Sequence, residues 1–125
     1  VIYLDTHVAL WLASGHTRAI PSSILAMIEA RRVLLSPIAA LEMDLLHEIG
    51  RISAPSAAIV STLARSLGLA LCDLAFAEVT REATALTWTR DPFDRLITAQ
   101  AQARQAPLAT ADGIIRKHYA GAVWD

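Results

Sequence analysis

Four acidic residues, Asp5, Glu42, Asp94 and Asp112, stand near the ends of short apolar segments of this chain. If those segments are buried parallel strands, the carboxylates meet on one edge of the sheet. Two carboxylates about 6 Å apart repel by roughly 3 kcal/mol at an effective dielectric near 20. Such a cluster needs a counter-cation or a retained proton. Oxygen-only donors suit Mg2+ or Mn2+, which keep waters available for reaction, and the pattern points to metal-dependent chemistry on phosphate.

Each acid also has a plainer explanation. Asp5 and Asp112 read as helix caps. Asp91-Pro92-Phe93-Asp94 reads as an N-cap, a proline at the first helical position and an acid in the first turn. Glu42 reads as a solvated helix residue beside Asp44 and Glu48. His7, near the same rim, suits either substrate contact or a local hydrogen bond. At this level both readings stand for every residue.

Other chemistries lack their signatures. Cys72 is the sole cysteine, and His7, His16, His47 and His118 show no zinc-ligand spacing. There is no G-x-S-x-G, no phosphate-binding G-x-x-x-x-G-K-[ST] and no G-x-G-x-x-G. A phospho-aspartate enzyme wants a second Asp two positions after the first, where this chain has His7. A Mg2+-binding receiver switch wants a lysine after a late strand, whereas Lys117 falls inside the last helical segment.

The elements that must position these residues alternate along the chain. Short apolar runs at Val1–Leu4, Val33–Leu35, Leu69–Cys72 and Pro107–Thr110 read as strands, with Ala122–Trp124 a fifth. Between them lie helical segments: His7–Ala13, one starting near Pro21, Ile38–Ile49, Pro55–Leu67, Leu74–Leu86 capped by Asp73, Asp91–Arg104 and Ile114–His118. In Leu74–Leu86, Phe76, Val79, Ala83 and Leu86 mark the face expected to be buried. Gly15, Gly50 and Gly68 stop helices. Buried strands without polar alternation, interleaved with helices, describe an α/β fold: a three-layer α/β/α sandwich around a parallel sheet of four to five strands. Ligands of such sheets bind beyond the carboxyl ends of the strands.

A length of 125 residues fits a single domain, residues 1–125. At that size roughly two-thirds of the chain's surface is buried on folding, so no disulfide or structural metal is required. The apolar fraction is 54% and the charged fraction 18%, against usual values of about 45–50% and about 25%. The excess apolar surface predicts a homodimer or a permanent partner. Net charge is −1, with ten arginines and one lysine; arginine suits bidentate phosphate contact. The lone thiol fits a reducing compartment, and the lack of long apolar stretches or a cleavable leader predicts a soluble cytoplasmic protein with no membrane partner. The chain opens at its first strand without an initiator methionine, so a few upstream residues are expected.

Leu4-Asp5-Thr6-His7 with Leu10-Trp11, Ser36-Pro37-Ile38 leading to Leu41-Glu42, Asp91-Pro92-Phe93-Asp94-Arg95 with Ala99-Gln100-Ala101, and Leu108-Ala109-Thr110-Ala111-Asp112 resemble the PIN-domain ribonucleases. Within these, the chain is similar to the VapC-type toxins of bacterial toxin–antitoxin pairs, over essentially its whole length. The resemblance implies an endoribonuclease whose Asp5, Glu42, Asp94 and Asp112 hold Mg2+ or Mn2+. It further implies Thr6 and Thr110 as hydrogen-bond partners of carboxylates or bound water. Asp91 is expected to be a cap before a ligand. Arg95, Arg90 and Arg116 are the expected phosphate contacts. RNA, a cognate antitoxin protein and a second copy of the chain are the implied partners. The alternative is a PIN-fold scaffold that has lost catalysis and serves protein interaction. Relatives often carry a bulky aromatic before the glutamate, where this chain has Ala40-Leu41.

Overall fold

Three-residue apolar runs are too short to cross a domain singly, so they gain stability only by pairing side by side. The computed structural model, which describes residues 1–125, shows this pairing. The elements are β1 (Ile2–Leu4), α1 (Thr6–Ser14), α2 (Ser22–Ala30), β2 (Val33–Leu35), α3 (Pro37–Glu48), α4 (Ser56–Leu67), β3 (Ala70–Leu71), α5 (Phe76–Ala83), α6 (Pro92–Ala103), β4 (Leu108–Ala109), α7 (Gly113–His118) and β5 (Ala122–Val123). A 3₁₀ turn at Thr17–Ala19 links α1 to α2.

All five strands are parallel, in the order β3-β2-β1-β4-β5. With helices on both faces, this is the expected three-layer α/β/α arrangement. β1 is central, with Tyr3 in register with Leu34 on one side and Leu108 on the other. The chain moves from β1 outward through β2 and β3, then returns to the opposite side of β1 for β4 and β5. The reversal opens a crevice at the carboxyl ends of β1 and β4, which is where ligands bind in open parallel sheets.

The core explains why the sheet stays together. Ile2, Leu4, Val33, Leu35 and Leu108 are fully buried, joined by Met43 from α3, Leu63 from α4, Ile97 from α6 and Ile115 from α7. Gly15 and Gly68 end α1 and α4 with φ of 79° and 67°, a left-handed conformation that side chains disfavour. No helix is long and apolar enough to cross a membrane.

Two expectations need correcting. β3 is an edge strand, so Leu71 is exposed rather than buried. α5 starts at Phe76, later than expected: Ala75 is its N-cap and makes no side-chain cap bond. Asp73 lies outside the helix and faces Arg104 at 3.4 Å. As a result Phe76 is 71% exposed, while Val79, Ala83 and Leu86 are buried as the spacing implied.

Leu35→Ala should lower unfolding free energy by about 2–5 kcal/mol, since it leaves a cavity between strands and helices. Phe76→Ala should change it by less than about 0.5 kcal/mol, as expected for an exposed side chain. Urea denaturation of the two variants checks both.

Candidate metal centre

Asp5 is the residue at which β1 gives way to α1. Its Oδ1 accepts the Thr6 N–H at 2.8 Å, capping α1, and its Oδ2 accepts the Thr110 hydroxyl at 2.6 Å. Thr110 follows β4, so this bond closes the crevice between the two central strands. The same Thr110 oxygen accepts the Asp112 N–H at 3.0 Å, which turns the chain toward α7. Asp112 then caps α7, taking the Ile114 and Ile115 N–H groups on Oδ1 at 2.8 and 3.0 Å. Its other oxygen has no bond within the protein.

The two remaining acids come from helices. Glu42 lies midway along α3, and its Oε1 accepts a hydrogen bond from the Thr6 hydroxyl. Asp94 lies in the first turn of α6, where Asp91 is the N-cap, accepting the Phe93 and Asp94 N–H groups at 2.9 and 3.2 Å. The Asp94 carboxylate has no side-chain hydrogen bond. Asp44 turns away from the crevice to accept both the N–H and the hydroxyl of Ser56 at 2.8 Å.

Asp5, Glu42, Asp94 and Asp112 line one pocket of about 120 Å³, with Thr6, His7, Leu10 and Leu46 completing the wall. The structure thus brings the four acids together while also giving Asp5 and Asp112 their capping bonds. Asp91 is exposed and outside the wall; its role is the cap. His7 is the residue whose placement the sequence left open. Its Nε2 accepts the Ala111 N–H at 3.1 Å, its Nδ1 lies 3.6 Å from Asp5 Oδ2, and its ring meets Trp11 edge-on. The i to i+2 spacing after Asp5, across an N-cap, is the signal that turns it toward the pocket.

The electrostatics follow from crowding. Burial raises Asp94 to about 7, helped by the negative charges of Asp91, Asp5, Asp112 and Glu42. Burial also raises Glu42, with Asp5 and Asp91 adding to it, while the Thr6 hydrogen bond and His7 oppose the shift. In the absence of a cation, the basin therefore retains a proton near neutrality.

Two of the expected phosphate contacts are committed elsewhere. Arg95 donates from Nε to Ala83 O at 2.8 Å, and from its terminal nitrogens to the carbonyls of Thr89 and Thr84 at 3.4 and 3.3 Å. Open carbonyls at the end of α5 attract its guanidinium, so it clamps α5 and the following loop onto α6 rather than facing the pocket. Arg116 pairs with Asp125 at 2.5 Å in a separate groove between α2 and α7. Arg90 remains exposed on the loop entering α6, four residues before Asp94.

The donor set suits a hard divalent cation: oxygens only, several with free lone pairs, facing one small cavity. Thr98, one turn beyond Asp94 on the same face of α6, holds the only buried side-chain polar atom without a partner. As they stand, no three acidic, histidine or cysteine side chains close to metal-ligand spacing.

Stability should depend on pH with the sign these shifts set. Native Asp94 keeps its proton up to about 7, whereas an unfolded Asp releases it near 3.8. Across that interval the native state binds more protons, so metal-free stability falls as pH rises. Glu42 acts in the same sense. Asp44, held below the ordinary range mainly by the Ser56 N–H, acts oppositely but only at lower pH. Thermal melts between about pH 5 and about pH 8 should show a falling midpoint, and Asp94→Asn should remove much of the slope.

Comparison with solved structures finds a match over 100% of both chains, with a TM-score of 0.66 at 18% identity, to a crystal structure of VapBC2 from Rickettsia felis bound to a DNA fragment from their promoter. At that identity the match speaks for the fold. A search of curated proteins yields no match. The family model for the PIN domain matches residues 2–121, from the start of β1 to the threshold of β5, a span holding all four pocket acids. The chain belongs to the PIN domain family.

Proposed function

We propose that this protein is a Mg2+- or Mn2+-dependent endoribonuclease, and that it acts in the cytoplasm as the toxin of a toxin–antitoxin pair. The observation that carries this reading is the single pocket lined by Asp5, Glu42, Asp94 and Asp112. Membership of a family whose domains are generally nucleases supports it.

Asp5, Glu42, Asp94 and Asp112 would hold the ion, which when bound supplies an acidified water and neutralises charge developing on a phosphodiester. The chain's own residues do the rest. Thr6 and Thr110 fix the rotamers of Glu42 and Asp5 by donating to them, so these acids are preorganised rather than gathered by the ion. Asp112, its Oδ1 spent on two backbone N–H groups, turns one free oxygen to the cavity. Asp94 is the acid that exchanges a proton near neutrality, and it would have to give up that proton to serve as a ligand. Arg90, exposed on the loop entering α6, would contact a phosphate approaching the start of that helix.

The partner assignments rest on surface chemistry and on the structural likeness. α3 exposes Leu41, Leu45 and Ile49 along one stripe, and Phe76 lies across a groove from Leu41. We assign this face to a second copy of the chain. The structural neighbour is a VapBC2 assembly, which supports a small antitoxin as the inhibitory partner. Sedimentation should give a dimer at micromolar concentration; a monomer would remove this assignment.

RNA cleavage in Mn2+ should disappear in Asp94→Asn, while the metal-free variant melts at an equal or higher temperature because repulsion is relieved. Mn2+ should raise the melting temperature of the wild type and much less that of the variant. Undiminished cleavage by Asp94→Asn would end the nuclease reading. A wild type with neither cleavage nor Mn2+ stabilisation would instead be an interaction scaffold.

A further inference from the structure

α3 and α6 each carry one pocket acid, and a second, uncharged contact joins them. Ser36, the N-cap of α3, donates its hydroxyl to Gln100 Oε1 at 2.5 Å. Both residues are almost fully buried, at 1% and 3% exposure. Ser36 lies six residues before Glu42, and Gln100 six residues after Asp94. Six residues of helix advance about 9 Å. The helices therefore pass in opposite senses, with the neutral pair at one end of the contact and the acidic pair at the other, at equal distances from it.

A second buried polar contact lies between the Cys72 sulfur and Tyr3 Oη, 2.9 Å apart, and Tyr3 is two residues before Asp5. Tyr3 and Cys72 are themselves buried. The Ser36–Gln100 bond thus joins the elements carrying Glu42 and Asp94, and the Thr6 hydroxyl joins the turn at Asp5 to Glu42. A buried network of this kind rigidifies what it connects, because breaking one bond leaves its partner unsatisfied.

We propose that Ser36 and Gln100 are positioning residues whose interhelical hydrogen bond sets the separation of Glu42 and Asp94, and with it the affinity of the pocket for a divalent cation. The bond opposes carboxylate repulsion that would otherwise part α3 from α6. This rests on the metal-nuclease reading. Outer-shell contacts of this type change metal affinity by about 10–100-fold when removed.

The test is Mn2+ titration calorimetry on the wild type, Gln100→Leu and the double variant Ser36→Ala/Gln100→Leu, each with its thermal midpoint. Gln100→Leu keeps the Ser36 cap on α3 and removes only the acceptor. The double variant removes both partners of the bond, so neither is left unsatisfied; it also loses the α3 cap, and it carries the test should the single variant not fold. Affinity should fall about tenfold in each folded variant, with the double no weaker than the single because the residues act as one pair. Ser36→Thr, which keeps both the hydroxyl donor and the cap, should bind Mn2+ as the wild type does. Wild-type affinity in the folded Gln100→Leu or double variant would reduce the bond to a packing feature and overturn the proposal while leaving the nuclease reading intact. A wild type that takes up no Mn2+ would overturn both.

Discussion

Like charges held around a cavity of about 120 Å³ must be opposed by something, and the rest of this structure is arranged around that opposition. Asp5 and Asp112 are held by backbone N–H groups at the starts of α1 and α7, and Asp94 sits in the first turn of α6. Helix N-termini favour negative charge, each by about 0.3–1 kcal/mol where exposed. Those gains do not cancel repulsion and burial at Asp94, which keeps its proton up to about 7. The basin therefore keeps a proton near neutrality.

Capping and ligation, which look like rival explanations of an acidic residue, are compatible because a carboxylate has two oxygens. Asp112 spends Oδ1 on two N–H groups and leaves Oδ2 free. Asp5 divides its oxygens between the Thr6 N–H and the Thr110 hydroxyl, and the second bond spans 105 residues of sequence. The backbone turns that end β1 and β4 are thereby part of the pocket. A change that loosened a cap would also move a carboxylate. Asp91 shows the contrast: its cap bonds are similar, but it is exposed and does not line the pocket.

The arginines and the apolar surface divide along similar lines. Arg95 is drawn to the open carbonyls at the end of α5, so a basic residue directly beside Asp94 serves packing. Its commitment leaves the pocket mouth more negative, which suits a cation more than an approaching phosphate. Apolar surface remains along α3 because its buried side, at Ala39 and Met43, is narrow. Leu41, Leu45 and Ile49 continue the apolar spacing of the helix onto its outer side.

Much of this was legible in the chain. Apolar runs, glycine stops and the Asp-Pro and Ser-Pro helix starts are local, set by backbone sterics and by side chains reaching N–H groups a few residues away. The strands, the helices and the short list of acids follow from them. The start of α5 is not legible because Asp73 has the chemistry of a cap, yet it lies three residues before the helix, facing Arg104 across the surface. Phe76 was misjudged with it, since a helix starting later has no preceding turn to cover its first apolar residue. What only the tertiary structure decided is adjacency: strand order β3-β2-β1-β4-β5 puts residue 5 beside residue 110, and the crossing of α3 and α6 aligns Ser36 with Gln100. Those contacts depend on which buried surfaces fit together across the whole domain, an energy that no short window of sequence contains.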